Sequence, residues 1–277
     1  MRKREMIKPR VAYLGPEGTF CEQAARKQFS RAALIPYPNI AGVFMAVEKR
    51  EVDYGAVPVE NSTEGSVYAT LDRLLESNLM ICGEVELKVA HNLIVKPNTS
   101  LNQIKVILSH PQALAQCRRF IENTFPDAEL REVSSTAKAV ELLGSVDNAA
   151  AIGTEIAAER SKMVVLKKGI EDESNNLTRF FVLGEVDARP TGRDKTSLIF
   201  SAKHIPGALY RVLEIFAVRN INLTKIESRP EKGKPWSYVF FLDFEGHRTE
   251  EKSNEALNAM KERCTYIKLL GSYPRAQ

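Results

Sequence analysis

The 277-residue chain is long enough for about two domains, and its 44% hydrophobic and 27% charged residues are typical of a globular protein. The net charge of +4 is a small excess, and the basic residues near the N-terminus have no interleaved aromatic residues, which argues against nucleic-acid binding. No apolar run reaches the roughly 20 residues that span a bilayer, and no secretory signal follows the basic start. We therefore expect a cytoplasmic protein that binds neither nucleic acid nor membrane.

Strand and helix patterns alternate through the first 184 residues. A short apolar strand at 11–14 precedes an amphipathic stretch at 19–29, and a buried strand at 56–59 precedes a helix with one apolar face. Similar pairs begin at Val106 and Ala149. This alternation predicts parallel sheets with helices on both faces.

Two extended segments interrupt this alternation. Residues 80–95 form a long β-rich run, and residues 164–169 with 178–183 form a second one. We interpret them as crossovers between two lobes, the first at about 11–87 and 164–184 and the second at about 88–163. Residues 1–10 would be a tail. Two α/β lobes joined by extended strands predict a hinged cleft, which suits a small ligand.

The polar segment 185–195 is the best candidate for a linker. Beyond it, residues 196–277 show strands at 196–202, 222–229, 236–244 and 266–270, with helices at 207–220 and 250–264. The order βαββαβ predicts a ferredoxin-like domain.

Four strand-to-helix turns carry small polar residues, at 15–19, 61–66, 109–112 and 153–154. Each could be simple helix capping. Together, at the carboxyl ends of strands, they indicate an anion site built on helix N-termini. Arg179 beside Thr178 could bind a ligand carboxylate or be an ordinary surface ion-pair partner. Glu60 is either a capping acid or a cleft acid.

Signatures of bound groups are missing. There is no GxGxxG or Walker A string, and the four histidines lack metal-ligand spacing, so we expect no cofactor and no metal. In the second domain, Gly207-Ala208-Leu209 opens a helix and Ser228-Arg229-Pro230 ends a strand. These strings are either plain element ends or two sides of a small-ligand pocket.

Six strings carry a family resemblance: GPEGTF at 15–20, ENSTEGSV at 60–67, SHPQ at 109–112 with Gln116, TRF at 178–180, GAL at 207–209 and ESRP at 227–230. With them the chain resembles a prephenate dehydratase with a C-terminal ACT regulatory domain, from about Val11 to the end. The resemblance implies an α/β catalytic domain of two lobes, like a periplasmic binding protein, with a central cleft. It also implies a lyase that converts prephenate to phenylpyruvate, water and carbon dioxide in phenylalanine biosynthesis.

By the family pattern Thr178 is the main catalytic residue, and we keep Glu60 as a reserve proton source. The substrate-binding residues implied are Thr19, Asn61, Ser62, Ser109, Gln116, Arg179 and Phe180. Those implied for the effector L-phenylalanine are Gly207, Ala208, Leu209, Asn222, Leu223, Glu227, Ser228 and Arg229. Tyr210 departs from the family pattern, where a smaller residue is usual, and is expected to alter the effector pocket.

The resemblance also implies pairing of ACT domains, and hence a homodimer or homotetramer in which L-phenylalanine shifts the cleft between open and closed forms. Two alternatives stay open. Arogenate, which carries an amine where prephenate carries a keto group, could be the substrate. A non-catalytic amino-acid sensor could also consist of two hinged lobes.

Overall fold

The computed structural model describes residues 8–231 and 237–276. Most of the predicted tail therefore lies outside the described residues, and Arg10 already belongs to the first strand. The chain folds into two α/β lobes followed by a ferredoxin-like domain, which confirms the predicted fold class. Within the described ranges, no helix has the length and apolar character needed to cross a membrane.

The two lobes are formed by eleven strands and seven α-helices in the described chain up to Gly184. In chain order they are β1 (Arg10–Leu14), α1 (Phe20–Gln28), β2 (Ala33–Tyr37), α2 (Ile40–Glu48), β3 (Tyr54–Asn61), β4 (Gly65–Ser66), α3 (Tyr68–Glu76), β5 (Met80–Lys88), β6 (Asn92–Val95), β7 (Val106–Ser109), α4 (Pro111–Gln116), α5 (Arg118–Thr124), β8 (Glu129–Glu132), α6 (Thr136–Leu142), β9 (Ala149–Gly153), α7 (Glu155–Arg160), β10 (Val164–Lys167) and β11 (Leu177–Gly184).

The first lobe has the strand order β2-β1-β3-β11-β5 with β4 beside β3, and the second has β10-β6-β9-β7-β8. Helices cover both faces of each sheet: α1 lies on one face of the first sheet and α2 and α3 on the other. The sheets are mixed, whereas the sequence analysis predicted parallel sheets. The crossover strands are the reason, because β11 runs antiparallel to β3 and β5, and β6 runs antiparallel to β9.

One prediction about the lobes is wrong, and two elements of the first lobe were missed. Residues 164–167 were assigned to the first lobe, but β10 pairs with β6 in the second sheet, where Val164 and Val165 lie opposite Val95 and Ile94. The return to the first lobe therefore follows β10. The pattern also missed β2 and α2, whose apolar residues complete the first lobe; β2 is short and contains Pro36, and Asn39 caps α2 by accepting from the Gly42 N–H.

The C-terminal domain contains β12 (Asp194–Ala202), α8 (Ala208–Ala217), β13 (Leu223–Pro230), β14 (Tyr238–Glu245), α9 (Glu251–Arg263) and β15 (Cys264–Pro274). Its sheet order is β13-β14-β12-β15, and α8 and α9 pack on one face. The start predicted for the strand at 236–244 lies outside the described residues. The predicted linker ends too late, because Asp194 and Lys195 are buried members of β12.

The other face of this sheet packs against the first lobe. Phe241, Leu270 and Tyr273 share one buried cluster with Ile81 and Phe181 of that lobe. Such burial is worth roughly 1.5–3 kcal/mol for each large apolar side chain. The two domains are therefore joined by a continuous core rather than only by the segment between them.

Polar and steric contacts fix the docking of the two domains. The ammonium of Lys268 on β15 donates to the carbonyls of Leu74, Leu75 and Ser77 at the end of α3, at 2.9, 2.9 and 2.5 Å. Gly271 has φ +146°, and a Cβ there would lie 2.2 Å from the carbonyl oxygen of Ile81. Only glycine lets the two backbones approach this closely.

Gly271→Ala is expected to destabilise the protein by about 1–3 kcal/mol through overpacking, in addition to the backbone strain. Gly192→Ala is the matched control, since Gly192 also has positive φ (+84°) but a Cβ there has nothing within 4 Å. Denaturant unfolding of both variants measures the difference. Equal losses of stability would show that the close approach to Ile81 contributes nothing.

The two lobes also contact each other directly. Arg160 of the second lobe donates to Glu17 and Glu22 of the first, at 2.6 Å each, and the Thr154 hydroxyl donates to the Gly18 carbonyl at 2.5 Å. Burial raises the pKa of the Glu22 carboxyl, but hydrogen bonds from the Gly18 N–H, Arg160 and Arg26 outweigh burial and hold that pKa below its usual range. Glu22 is therefore an ionised link between the lobes.

Arg160→Leu is expected to cost about 1–3 kcal/mol at neutral pH, because a buried carboxylate loses a charged donor. A carboxyl with a depressed folded pKa stabilises the protein above its unfolded pKa of about 4.3, and that stability is lost as pH falls through the folded value. The difference in unfolding free energy between wild type and variant should therefore be widest near pH 7 and narrow as the pH falls below about 4.

Unfolding at a series of pH values measures this difference. Arg118→Leu is the control, since Arg118 pairs with Glu122 in solvent, with 75% and 59% of the two side chains exposed, and should change stability by less than about 0.5 kcal/mol. A difference for Arg160→Leu that stays constant from neutral to acid pH would contradict the role given to Glu22.

Candidate functional site

A cavity of about 530 Å³ lies between the two lobes. This volume falls in the range that takes a small organic ligand. Cavities of similar volume occur elsewhere, for example beside residues 185–188 after β11, but this one has polar side chains converging from both lobes. The polar lining residues include Thr19, Asn61, Glu64, Ser66, Asn176 and Thr178 around the first lobe, beside the rings of Phe20 and Phe180. Around the second lobe they are His91, His110, Gln112, Gln116, Ser134, Ser135 and Thr136.

The floor of the cavity is the antiparallel pair of β3 and β11. In this pair Thr178 lies opposite Asn61, and the next position places Arg179 opposite Glu60. Because side chains alternate between the two faces of a sheet, neighbouring residues cannot both face the cavity. Thr178 and Asn61 line it, whereas Arg179 and Glu60 point to the C-terminal domain.

Asn61 fixes the hydroxyl of Thr178. Its amide oxygen accepts from the backbone N–H groups of Thr63 and Glu64 at 2.9 and 3.0 Å, which sets the orientation of the amide. The amide nitrogen then donates to Thr178 Oγ1 at 2.9 Å and to Asn176 Oδ1 at 2.6 Å. Since Thr178 Oγ1 already accepts from Asn61, its own proton is left to donate to a ligand.

A second set of polar contacts spans the cleft. Gln116 of α4 donates to Glu64 Oε1 at 3.0 Å, and its amide oxygen lies 2.8 Å from His91 Nε2. Burial lowers the pKa of His91, against the opposing effects of Gln116 and Glu171, so the ring is neutral at physiological pH. Phe20 meets the same ring edge to face at 5.6 Å. Glu64 and Gln116 thereby connect one lobe to the other.

Helix starts rather than basic side chains are the groups in this cavity that suit an anion. The described residues that line it include no Lys or Arg. Three helices begin at its wall, since the N-cap residues Thr19, His110 and Ser135 of α1, α4 and α6 all line it. The partial positive charge of helix N-termini attracts anions. The fourth predicted turn differs, because Thr154 is buried against Gly18 at the lobe contact.

The predicted site residues separate into two groups. Thr19, Asn61, Gln116, Thr178 and Phe180 line the cavity. Four others do not, and these placements are corrections to the sequence analysis. Two of them, Arg179 and Glu60, lie on the opposite face of the sheet as described above.

Ser109 and Ser62 are the other two. Ser109 is fully buried, and its hydroxyl donates to the carbonyl of Ile152 at 2.7 Å, inside the second sheet. Ser62 joins the end of β3 to β11, since its hydroxyl accepts from the Leu177 N–H at 2.9 Å and its own N–H donates to the Leu177 carbonyl at 2.8 Å. Both hydroxyls are used for structure.

Sequence reasoning missed His91, Glu64 and Asn176 as cavity residues. Asn176 could have been found, because it stands two positions before Thr178 and therefore on the same side of an extended segment. Glu64 was noted only as part of a motif. His91 gave no local signal, since its role depends on Gln116, which is 25 residues away along the chain.

Only some of the predicted effector residues lie at one pocket of the C-terminal domain. Ala208 and Leu209 line a pocket of about 440 Å³ with Tyr238 and Phe240, and Ser228 lies opposite Phe240 on the neighbouring strand. Gly207 has φ +76° and starts α8 beside this pocket. Leu223 begins β13 and Asn222 precedes it, and neither residue lines the pocket.

Glu227 and Arg229 need correction, because they face the first lobe. Glu227 bonds to Ser66, and Arg229 bonds to Asp72 at 2.8 Å and lies over the Tyr68 ring at 4.2 Å. Tyr210 is 67% exposed and does not enter the pocket.

Comparisons with known proteins agree with this architecture. The sequence pattern of the prephenate dehydratase family matches residues 11–188, and that of the ACT domain matches residues 196–262. The chain is 42% identical to a prephenate dehydratase of Methanocaldococcus jannaschii, over 95% of this chain and 97% of the relative.

It is 40% identical to the chloroplastic arogenate dehydratase/prephenate dehydratase 2 of Arabidopsis thaliana, over 96% of this chain and 72% of the relative. The crystal structure of a prephenate dehydratase from Arthrobacter aurescens in complex with L-Phe superposes with a TM-score of 0.88 at 34% identity, covering 96% of this chain and 90% of that one. The chain therefore belongs to the prephenate dehydratase family and carries an ACT domain after its catalytic domain.

Proposed function

We propose that the protein converts prephenate to phenylpyruvate, carbon dioxide and water in the cavity between its lobes. The observation that carries this proposal is the orientation of Thr178, whose hydroxyl accepts from Asn61 and is free to donate into the cavity. Membership of the family and the names of the relatives support the reaction. No cofactor is required by this chemistry.

Prephenate is a dianion, and the cavity must hold it without lysine or arginine side chains among the described lining residues. The N-termini of α1, α4 and α6 supply the positive ends of peptide dipoles for this task. Weak anion binding by neutral groups suits the reaction, because the ring carboxylate must lose its charge as carbon dioxide leaves. Closure of the lobes removes water from that carboxylate.

The elimination then proceeds with a defined movement of electrons. The bond between the ring and its carboxylate breaks, and its electron pair completes the aromatic ring. The ring hydroxyl departs as hydroxide and takes one proton from the solvent to become water. Thr178 donates a hydrogen bond to the departing oxygen rather than a full proton, since an alcohol is a poor acid. Glu60, the reserve proton source, is set aside because it faces the C-terminal domain. Glu64 is the carboxyl that lines the cavity.

Arogenate is a second candidate substrate, and a specific feature favours testing it. The Glu64 carboxylate lines the cavity and could pair with the ammonium that arogenate carries in place of the keto group. The relative from Arabidopsis is named for both activities. Comparing kcat/KM on the two substrates separates them, and binding of either without turnover would support the sensor alternative.

We also propose that L-phenylalanine regulates the enzyme through the ACT domain, as the effector complex of the Arthrobacter relative suggests. Among the described residues β13 is an unpaired sheet edge, and two exposed apolar side chains lie there, Ile226 on β13 and Tyr238 opposite its end. Such an edge suits pairing with a second copy. A homodimer or homotetramer is the expected assembly, and a cytoplasmic location stays a prediction.

Thr178→Val keeps the shape of the side chain but removes the hydroxyl. It is expected to lower kcat by about 100-fold or more while KM stays within about threefold, because the lost hydrogen bond strengthens only as the hydroxyl leaves. Phenylpyruvate release from prephenate measures both constants.

Ser109→Ala is the matched control for Thr178→Val. The Ser109 hydroxyl is buried inside the second sheet, so its loss should leave kcat within about twofold and cost about 1 kcal/mol of stability. A Thr178→Val enzyme with unchanged kcat would remove Thr178 from the mechanism.

A further inference from the structure

The guanidinium of Arg179 is held by residues of both domains. It donates to Glu84 of β5 at 2.7 Å, to Asp243 of β14 at 2.6 Å and to the Tyr273 hydroxyl of β15 at 2.9 Å. Its carbon also lies 4.8 Å from the centre of the Phe181 ring. Two of its three hydrogen-bond partners thus come from the ACT domain.

The partners are themselves fixed. The Ser197 hydroxyl donates to Asp243 at 2.6 Å and lies 2.5 Å from the Tyr273 hydroxyl, and Lys195 pairs with Glu84 at 2.9 Å. The cluster of Arg179, Lys195, Glu84 and Asp243 contains two positive and two negative groups, all at most 9% exposed. A buried cluster with balanced charges and satisfied hydrogen bonds has one favoured geometry.

This cluster holds the back of the strand pair that carries the site. Arg179 lies opposite Glu60, and the adjacent positions on the other face are Thr178 and Asn61. Glu60 is held as well, because Lys225 of the ACT domain pairs with it at 3.0 Å. Both residues behind the catalytic pair are therefore fixed by the ACT domain.

We infer that Asp243 and Tyr273 of the ACT domain are positioning residues for the reaction, acting on the hydroxyl of Thr178 through Arg179. Arg179 and Thr178 share a peptide bond, so a rotation or shift of β11 at Arg179 moves the hydroxyl in the cavity. Misplacement of a reacting group by about 1 Å can cost about 100-fold in rate. The kinetic part of this inference rests on the proposed function.

Asp243→Asn tests the inference with little change of volume. Asn keeps one acceptor for Arg179 but removes the charge, so the geometry of the cluster loosens. The expected result is a kcat lowered about tenfold or more with KM within about threefold, since the cavity lining is untouched. Tyr273→Phe removes only one hydroxyl and is expected to give a smaller fall in kcat with the same pattern.

Lys268→Met is the matched control, because it also removes a contact between the domains. Lys268 holds the end of α3, away from β3 and β11. It should lower the unfolding temperature but leave kcat within about twofold. If Lys268→Met lowered kcat as much as Asp243→Asn, general loosening of the ACT domain would explain both and the inference would fail.

A readout that does not depend on turnover completes the test. Methyl NMR of the threonine side chains should show a changed Thr178 signal in Asp243→Asn and Tyr273→Phe, but an unchanged one in Lys268→Met. Lack of prephenate turnover by the wild type would refute the proposed function, while the NMR comparison would still decide the positioning role. A Thr178 signal that is the same in the wild type and all three variants would overturn the inference.

Discussion

The alternation of side chains along β3 and β11 is the constraint on which the rest of the structure depends. Because consecutive residues face opposite sides, one of two adjacent residues on each strand faces the cavity and the other faces the domain interface. Thr178 and Asn61 are available to a ligand because Arg179 and Glu60 face the C-terminal domain on the other side of the sheet. The strand pair thus lines the candidate site on one face and docks the C-terminal domain on the other.

This division explains how the cavity treats charge. The strongest cation near the site, Arg179, is neutralised by Glu84 and Asp243 and does not reach the cavity. The ligand anions would instead meet helix N-termini and side chains that are neutral apart from the Glu64 carboxylate. A permanent guanidinium on the ring carboxylate would stabilise the starting dianion and so oppose its loss as carbon dioxide, whereas dipoles bind anions with less ground-state stabilisation.

Much of this architecture could be predicted from the sequence. The alternating patterns with two extended segments predicted two α/β lobes, and the order βαββαβ predicted a ferredoxin-like domain. The resemblance identified that domain as an ACT domain and located the strings that approach the cavity. The placement of Arg179 could also have been inferred, because a strand through Thr178-Arg179-Phe180 must separate neighbouring side chains. The string was interpreted as a unit instead, with Thr178 and Arg179 facing the same ligand.

Other parts of the site depend on packing that no local pattern records. Ser109 stands in a polar turn like the residues that do line the cavity, but the register of β7 with β9 directs its hydroxyl to the Ile152 carbonyl. Glu227 and Arg229 looked like pocket residues, yet docking of the ACT sheet turns them to the first lobe. Such assignments follow from domain contacts, which lie far apart in the sequence.

The most direct test of the account is a crystal structure of the protein with the product phenylpyruvate or a stable analogue of prephenate. The account predicts the ligand between the lobes, with Thr178 Oγ1 in hydrogen-bond contact, its carboxylates at the helix starts, and Arg179 still bound to Glu84 and Asp243. A ligand carboxylate paired with the Arg179 guanidinium would contradict the account.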